Sequence, residues 1–204
     1  AIGSNALNAS STNAISGIVA IGTDALGALT TGTGTTAVGY LAGENIITGN
    51  DNTLFGWKTG RKLASTSSDN NVFVGYACGA GGDDTFASNT ANHNVGIGYL
   101  ALGATADHTA DATAFTASYN IAIGQSALNV ITSGTSNIAI GSNAGMRLLD
   151  GGNNIMIGTN SGEIADTNAT SAQYNVYIGT ATGRYLDDAE KNTAIGYGAM
   201  QGTG

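Results

Sequence analysis

One ten-residue string, NIAIGQSALN from Asn120 to Asn129, constrains this chain more than any other feature, because most of the rest is a degenerate copy of it. Copies read NIAIGSNAG from Asn137, NIMIGTNSG from Asn154, NVYIGTATG from Asn175 and NTAIGYGAM from Asn192. Indexed on the central glycine, the series is Gly3, Gly22, Gly39, Gly56, Gly75, Gly98, Gly124, Gly141, Gly158, Gly179 and Gly196. The spacings are 19, 17, 17, 19, 23, 26, 17, 17, 21 and 17. A floor of 17 that is only ever exceeded describes one unit of about eleven copies, with extra residues admitted at a permissive point. That is the signature of a solenoid, whose units bury their apolar faces against their neighbours. The repeat runs from end to end, so residues 1–204 read as one domain. The chain opens mid-repeat with AIGSNAL and closes on QGTG, as an excerpt of a longer polypeptide would.

Position by position, the repeat reads as a short parallel strand. One residue before the glycine stand Ile2, Ile21, Val38, Phe55, Val74, Ile97, Ile123, Ile140, Ile157, Ile178 and Ile195; three before stand Val19, Thr36, Thr53, Val72, Val95, Ile121, Ile138, Ile155, Val176 and Thr193. Residues two apart share a face of a strand, and both columns are β-branched but for one Phe, so they are expected to form the inward face. The column between them, Ala20, Ala37, Leu54, Phe73, Gly96, Ala122, Ala139, Met156, Tyr177 and Ala194, carries no charge. Strands apolar on both faces are covered on both. With no amphipathic helix to do this, the intermediate residues Ala20, Ala37, Leu54, Phe73, Ala122, Ala139, Met156, Tyr177 and Ala194 are assigned to contact with another copy of the chain. The fold class is therefore all-β, a parallel β-solenoid or β-roll that assembles as an obligate oligomer. At about 4.8 Å per coil it makes a rod of roughly 50 Å.

Four residues before the glycine runs an asparagine column, Asn52, Asn71, Asn94, Asn120, Asn137, Asn154, Asn175 and Asn192, with Ile18 and Thr35 as departures. Asparagine tolerates left-handed turns and bonds to the Asn one coil away, so the column reads as a corner ladder. The glycines mark the opposite corner, where φ is positive or another backbone comes close. Three residues beyond them lies a small column, Ala6 through Ala199, in which Cys78 is a buried filler with no partner for an internal disulfide.

The bulk numbers exclude whole classes. A net charge of −8 with six Lys or Arg removes the basic patch a nucleic-acid binder needs. No apolar run approaches the roughly 18 residues of a membrane span. GIGYLA at Gly96 imitates part of a dinucleotide fingerprint, but the repeat explains each residue of it. Asp83-Asp84 and Asp187-Asp188 lack the ligand spacing of a calcium loop, and no Ser, His and Asp set sits in a catalytic context. Ile-Gly-x-x-Ala also resembles the hexapeptide repeat of left-handed β-helix acyltransferases, which need three such hexads per coil where this chain has one. No catalytic residue, metal site or cofactor is expected, and the chain reads as a non-enzyme.

Repeats of the form N-x-A-I-G-x-x-A, of which KNTAIGYGAM from Lys191 to Met200 is the clearest, are similar to those of trimeric autotransporter adhesin heads and of bacteriophage tail fibres and related injection-machine fibres. The resemblance spans the chain. It implies a trimeric fibre of parallel β-rolls on a virion or cell surface, engaged in host attachment and joined to other fibre or baseplate proteins. A 17-residue coil favours the phage-type fibre, with the adhesin head as the alternative. An ice-binding solenoid is a further alternative, for which Thr31, Thr33, Thr48 and Thr132 are expected to lack a common register.

One constellation points to recognition. The residue after the glycine is Tyr40, Trp57, Tyr76 and Tyr99 in four successive coils. Such a stripe is either a stacking ladder or a platform for a surface glycan. The two longest insertions adjoin it and contain His93 and His108. The expectation is that residues 80 to 119 form a lateral knob, with Trp57, Tyr76 and Tyr99 bordering the site.

Overall fold

The computed structural model describes residues 1–9, 15–61, 63, 68–79, 90–103, 115–164, 172–186 and 188–202. Among these there is no helix. The strands are β1 (Ile15–Ser16), β2 (Val19–Ile21), β3 (Gly32–Thr33), β4 (Thr36–Val38), β5 (Thr53–Phe55), β6 (Val72–Val74), β7 (Val95–Ile97), β8 (Ile121–Ile123), β9 (Ile138–Ile140), β10 (Ile155–Ile157), β11 (Val176–Ile178) and β12 (Thr193–Ile195). Ten of them form a single parallel sheet in chain order, β2, β4 and then β5 to β12, while β1 and β3 pair separately on the return path. The register is the repeat itself: Met156 lies between Ala139 and Tyr177, and Ala37 between Ala20 and Leu54. The result is a β-solenoid of about nine turns. An isolated bridge from Ile2 to Ile21 accounts for the index glycine at the N-terminal end.

The two faces of the strand are the reverse of the sequence expectation. The middle residues Ala20, Ala37, Leu54, Phe73, Ala122, Ala139, Met156, Tyr177 and Ala194 are buried inside the chain's own coil, and are not an oligomer contact. The β-branched columns point outward: Val19, Ile21, Phe55, Val74, Ile97, Ile140 and Ile195 are exposed.

The reason is volume. A 17-residue coil encloses little space, and a large aliphatic column, Leu29, Ile46, Leu63, Ile131 and Leu148, already fills its far corner. The inner strand residue shares what is left with the fourth residue after the glycine. Where the first is large the second is Gly, as in Leu54 with Gly60, Phe73 with Gly79, Met156 with Gly162 and Tyr177 with Gly183, and in each pair a Cβ on the glycine would overlap the large side chain. Where the first is small the second is Leu in Ala20 with Leu26, Gly96 with Leu102 and Ala122 with Leu128, whereas Ala37 with Gly43 and Ala139 with Gly145 are small at both positions and their space is filled from neighbouring coils, by Leu26 and Leu54 and by Leu128 and Met156. Packing at crystal-like density leaves no slack for both to be large.

Both corners form as expected in outline. At the first, Asn side chains stack in a buried ladder. From Asn71 to Asn175 each Nδ2 donates to the Oδ1 of the Asn one coil back at 2.9–3.2 Å, and to a backbone carbonyl one coil on, as Asn137 does to Asn120 (3.0 Å) and to the Gly151 carbonyl (2.8 Å). Each Oδ1 also accepts the next Asn backbone N–H. Both donors and both lone pairs of the amide are used, which is the condition for burying it. Thr35, a departure in this column, repeats the pattern with its hydroxyl, donating to the Gly49 carbonyl and accepting from the Asn52 N–H.

The left-handed residue is the one before the Asn: Asp51, Asn70, His93, Tyr119, Ser136, Asn153, Tyr174 and Lys191 have φ from 54 to 62°. A side chain there costs about 1–2 kcal/mol relative to glycine. Ser136→Gly is therefore expected to stabilise the fold by a net of about 0.5 kcal/mol, after the added freedom of the unfolded chain is subtracted, and so to raise the denaturation midpoint.

At the second corner the index glycines combine both anticipated features. Gly141 has φ +135°, and a Cβ on it would sit 2.6 Å from the carbonyl of Gly158.

Candidate functional site

Two surfaces follow from this geometry, and they adjoin. The first is the outward sheet face, ten strands long, presenting two apolar or threonine side chains per strand and no charge. The second is the aromatic stripe, which lies just past the glycine corner from it. Val38 and Tyr40, Phe55 and Trp57, Val74 and Tyr76, and Ile97 and Tyr99 flank the same four glycines, so in these coils the exposed apolar surface widens around the corner.

The stripe forms a continuous stack. Ring centroids are 6.0 Å apart for Tyr40 and Trp57, 4.6 Å for Trp57 and Tyr76, and 5.2 Å for Tyr76 and Tyr99, with interplanar angles of 24, 10 and 15°. Coil spacing imposes this distance on any identical column, and offset stacking of the rings adds about 0.5–1.5 kcal/mol per pair. Lys58 places its ammonium 4.3 Å from the Trp57 ring centre. Both faces of Trp57 and Tyr76 are taken by neighbouring rings, whereas a sugar packs on an open aromatic face. The stripe offers ring edges to solvent, with the rings still 37–49% exposed.

A second, polar ladder runs beside the asparagines and went unread in the sequence. Asn50 donates its backbone N–H and its Nδ2 to Asp69 Oδ1 (2.7 and 3.1 Å), the Asp69 N–H donates to Asn92 Oδ1 (2.7 Å), and the Asn92 N–H to Ser118 Oγ (3.2 Å). Its residue types change from coil to coil, so only the register exposes it. Two axial ion pairs, Arg61 with Glu44 at 2.8 Å and Arg184 with Glu163 at 2.7 Å, link successive coils elsewhere.

His93 stacks on Tyr119 at 4.8 Å and is exposed. His108, Asp83, Asp84 and Asp187 lie outside the described residues, and so do 80–89 and 104–114 of the knob expected over residues 80 to 119; its described residues, 90–103 and 115–119, continue the coils, with β7 in the sheet. Among the described residues no three of His, Cys, Asp and Glu gather as a metal site would require, and no helix is long and apolar enough to cross a membrane. A shallow cavity of about 250 Å³ lies among Asn5, Asn8, Asp24, Gly27, Ala28, Glu44 and Asn45. The threonines differ from expectation in one respect: Thr31 and Thr48 pair in register. Thr33 aligns with Asn50 instead, and Thr132 bonds to Leu149 and Asp150, so the four make no single threonine column.

Cys78 is fully buried, and burial pushes its thiol from 9.0 up to about 12. Burial raises the Tyr177 phenol as well. Both groups are held neutral by the fold. Their contribution is fully present below pH 9 and is lost as pH climbs toward 12, because the unfolded chain ionises first. Native protein is expected to leave Cys78 unalkylated by iodoacetamide at pH 8, with full reaction after unfolding, and the denaturation midpoint is expected to fall above pH 9.

In comparisons with protein-family models, curated proteins and solved structures, no match to this chain was found.

Proposed function

We propose that this chain is a rigid, non-enzymatic segment of an extracellular attachment fibre, a tail fibre of a bacteriophage or of a related injection machine, built as a homotrimer. The observation that carries this reading is the outward sheet face. Ten strands with two outward side chains each, at roughly 50 Å² of exposed apolar surface apiece, present on the order of 1,000 Å² in one strip, beyond the few hundred that monomers leave in contact with water. That is also the scale of a specific protein interface. A strip of constant width along a rod fits a partner with the same axial repeat, and another copy of the chain has it by construction. Three copies around a common axis close the strip completely, whereas the stacked ladders keep the rod stiff.

In this reading the partners are two further copies, the adjoining fibre or baseplate proteins, and a cell-surface glycan or other host receptor met away from the closed strip. The location is the virion or another extracellular surface. The repeat resemblance supports the phage-type fibre first and the adhesin head second. Gold-labelled antibodies raised against the chain, applied to particles from a lysate of the source, should decorate a thin appendage. Particles and cells that both lack a labelled fibre would contradict the proposal.

A further inference from the structure

We infer that the aromatic ladder Tyr40, Trp57, Tyr76 and Tyr99 is a subunit seam, packing edge-on against the opposite border of the same sheet in a second copy of the chain. The inference rests on the homotrimer reading. A three-fold axis parallel to the rod makes a heterologous contact, in which one border of the sheet in one protomer meets the other border of the next. One border is the residue after the glycine. The other is the left-handed column that precedes the asparagines.

Rotation about such an axis keeps each coil at its own height, so the rings meet the residues of their own coils. Trp57 faces Asp51 of the partner subunit, Tyr76 faces Asn70 of the partner subunit and Tyr99 faces His93 of the partner subunit, whereas Tyr40 faces Gly34 of the partner subunit and meets backbone only. Asp51, Asn70 and His93 are all exposed at that border and have positive φ, with the Asp51 carboxylate over Gly34 and the His93 ring stacked on Tyr119 of the same chain. The chemistry is complementary: ring edges carry the indole N–H and phenol O–H donors, and the facing column supplies a carboxylate, an amide oxygen and an imidazole.

The stacking supports the same assignment. Rings whose faces are consumed along the axis have edges left to offer, and an edge suits a flat seam better than a sugar. Four aromatic side chains with 150–250 Å² each, a little under half of it exposed, bring roughly 350 Å² to the strip. They would supply the aromatic anchors in which interface energy concentrates.

Trp57 is the only tryptophan, so the unmodified chain carries its own probe. Acrylamide quenching is measured on a sample whose mass is read by sedimentation equilibrium. The expected result is a trimer mass with a quenching rate below about one fifth of that of free N-acetyltryptophanamide, since the ring, 37% exposed in the single chain, loses that exposure at a seam. Trimer mass with a higher rate overturns the seam and leaves the trimer standing, whereas monomer mass overturns both. Trp57→Ser is expected to raise the dissociation concentration about tenfold or more while far-UV circular dichroism is unchanged, as removal of an interface anchor does. An unchanged dissociation concentration also overturns the seam.

Discussion

Replacing Asn137 with Leu is expected to cost about 3–6 kcal/mol, close to the whole stability of a small domain. The side chain is fully buried and nearly isosteric with Leu, so the loss is in hydrogen bonds and not in volume. Without the amide, the Gly151 carbonyl loses its 2.8 Å donor, and the Asn154 backbone N–H and Nδ2 lose an acceptor at 3.0 and 2.9 Å. Asn120 Oδ1 keeps only the backbone N–H of residue 137. Each buried group left unmatched costs about 1–3 kcal/mol. Asn137→Asp is expected to be at least as damaging at neutral pH, because it puts a carboxylate oxygen against Asn120 Oδ1 and the Gly151 carbonyl. It should recover partly on acidification, when a protonated carboxyl regains one donor. Denaturation midpoints of the two variants at pH 7 and pH 4 check this; equal midpoints for Asn137→Asp at both would contradict the ladder's donor pattern.

The second large effect is a pair of neighbours with opposite outcomes. Ala139 is fully buried, so Ala139→Glu forces a charge into a coil interior lined by Leu128 and Met156, and should unfold it at a cost of several kcal/mol. Ile140 is 36% exposed on the outward face, so Ile140→Glu should fold normally as a coil and weaken assembly, because an unpaired charge is desolvated only when copies meet. Circular dichroism and mass together separate the two. If Ala139→Glu folded and Ile140→Glu did not, the face assignment would be inverted.

That assignment is where the sequence was hardest to read. Period-two alternation identifies two faces of a strand, but it names the inner one only when one face is polar. Here both are apolar, and β-branched Ile and Val look more like a core than Ala139 or Ala122 does. The deciding quantity is the volume a 17-residue coil encloses, which no single column shows. It was present in a pair of columns: Phe73 with Gly79 and Tyr177 with Gly183 against Ala122 with Leu128 is the pattern of side chains sharing one space. The glycine corner and the Asn ladder were legible because each depends on a single residue type that little else replaces. The left-handed position one residue before the Asn was not, since Asp51, His93, Tyr119 and Lys191 have no common chemistry and only the backbone unites them. The aromatic stripe was legible as a stripe, yet its ring orientation, which takes both faces of Trp57 and Tyr76 out of reach, comes only from the geometry.

In the proposed trimer the outward apolar strip is closed by two more copies of the same chain. Sedimentation equilibrium on the unmodified chain at micromolar concentration tests it most directly. One chain is 20.2 kDa, and the expected result is a single species of three times that mass. A soluble, folded species of 20.2 kDa, with its strip open to water, would contradict it.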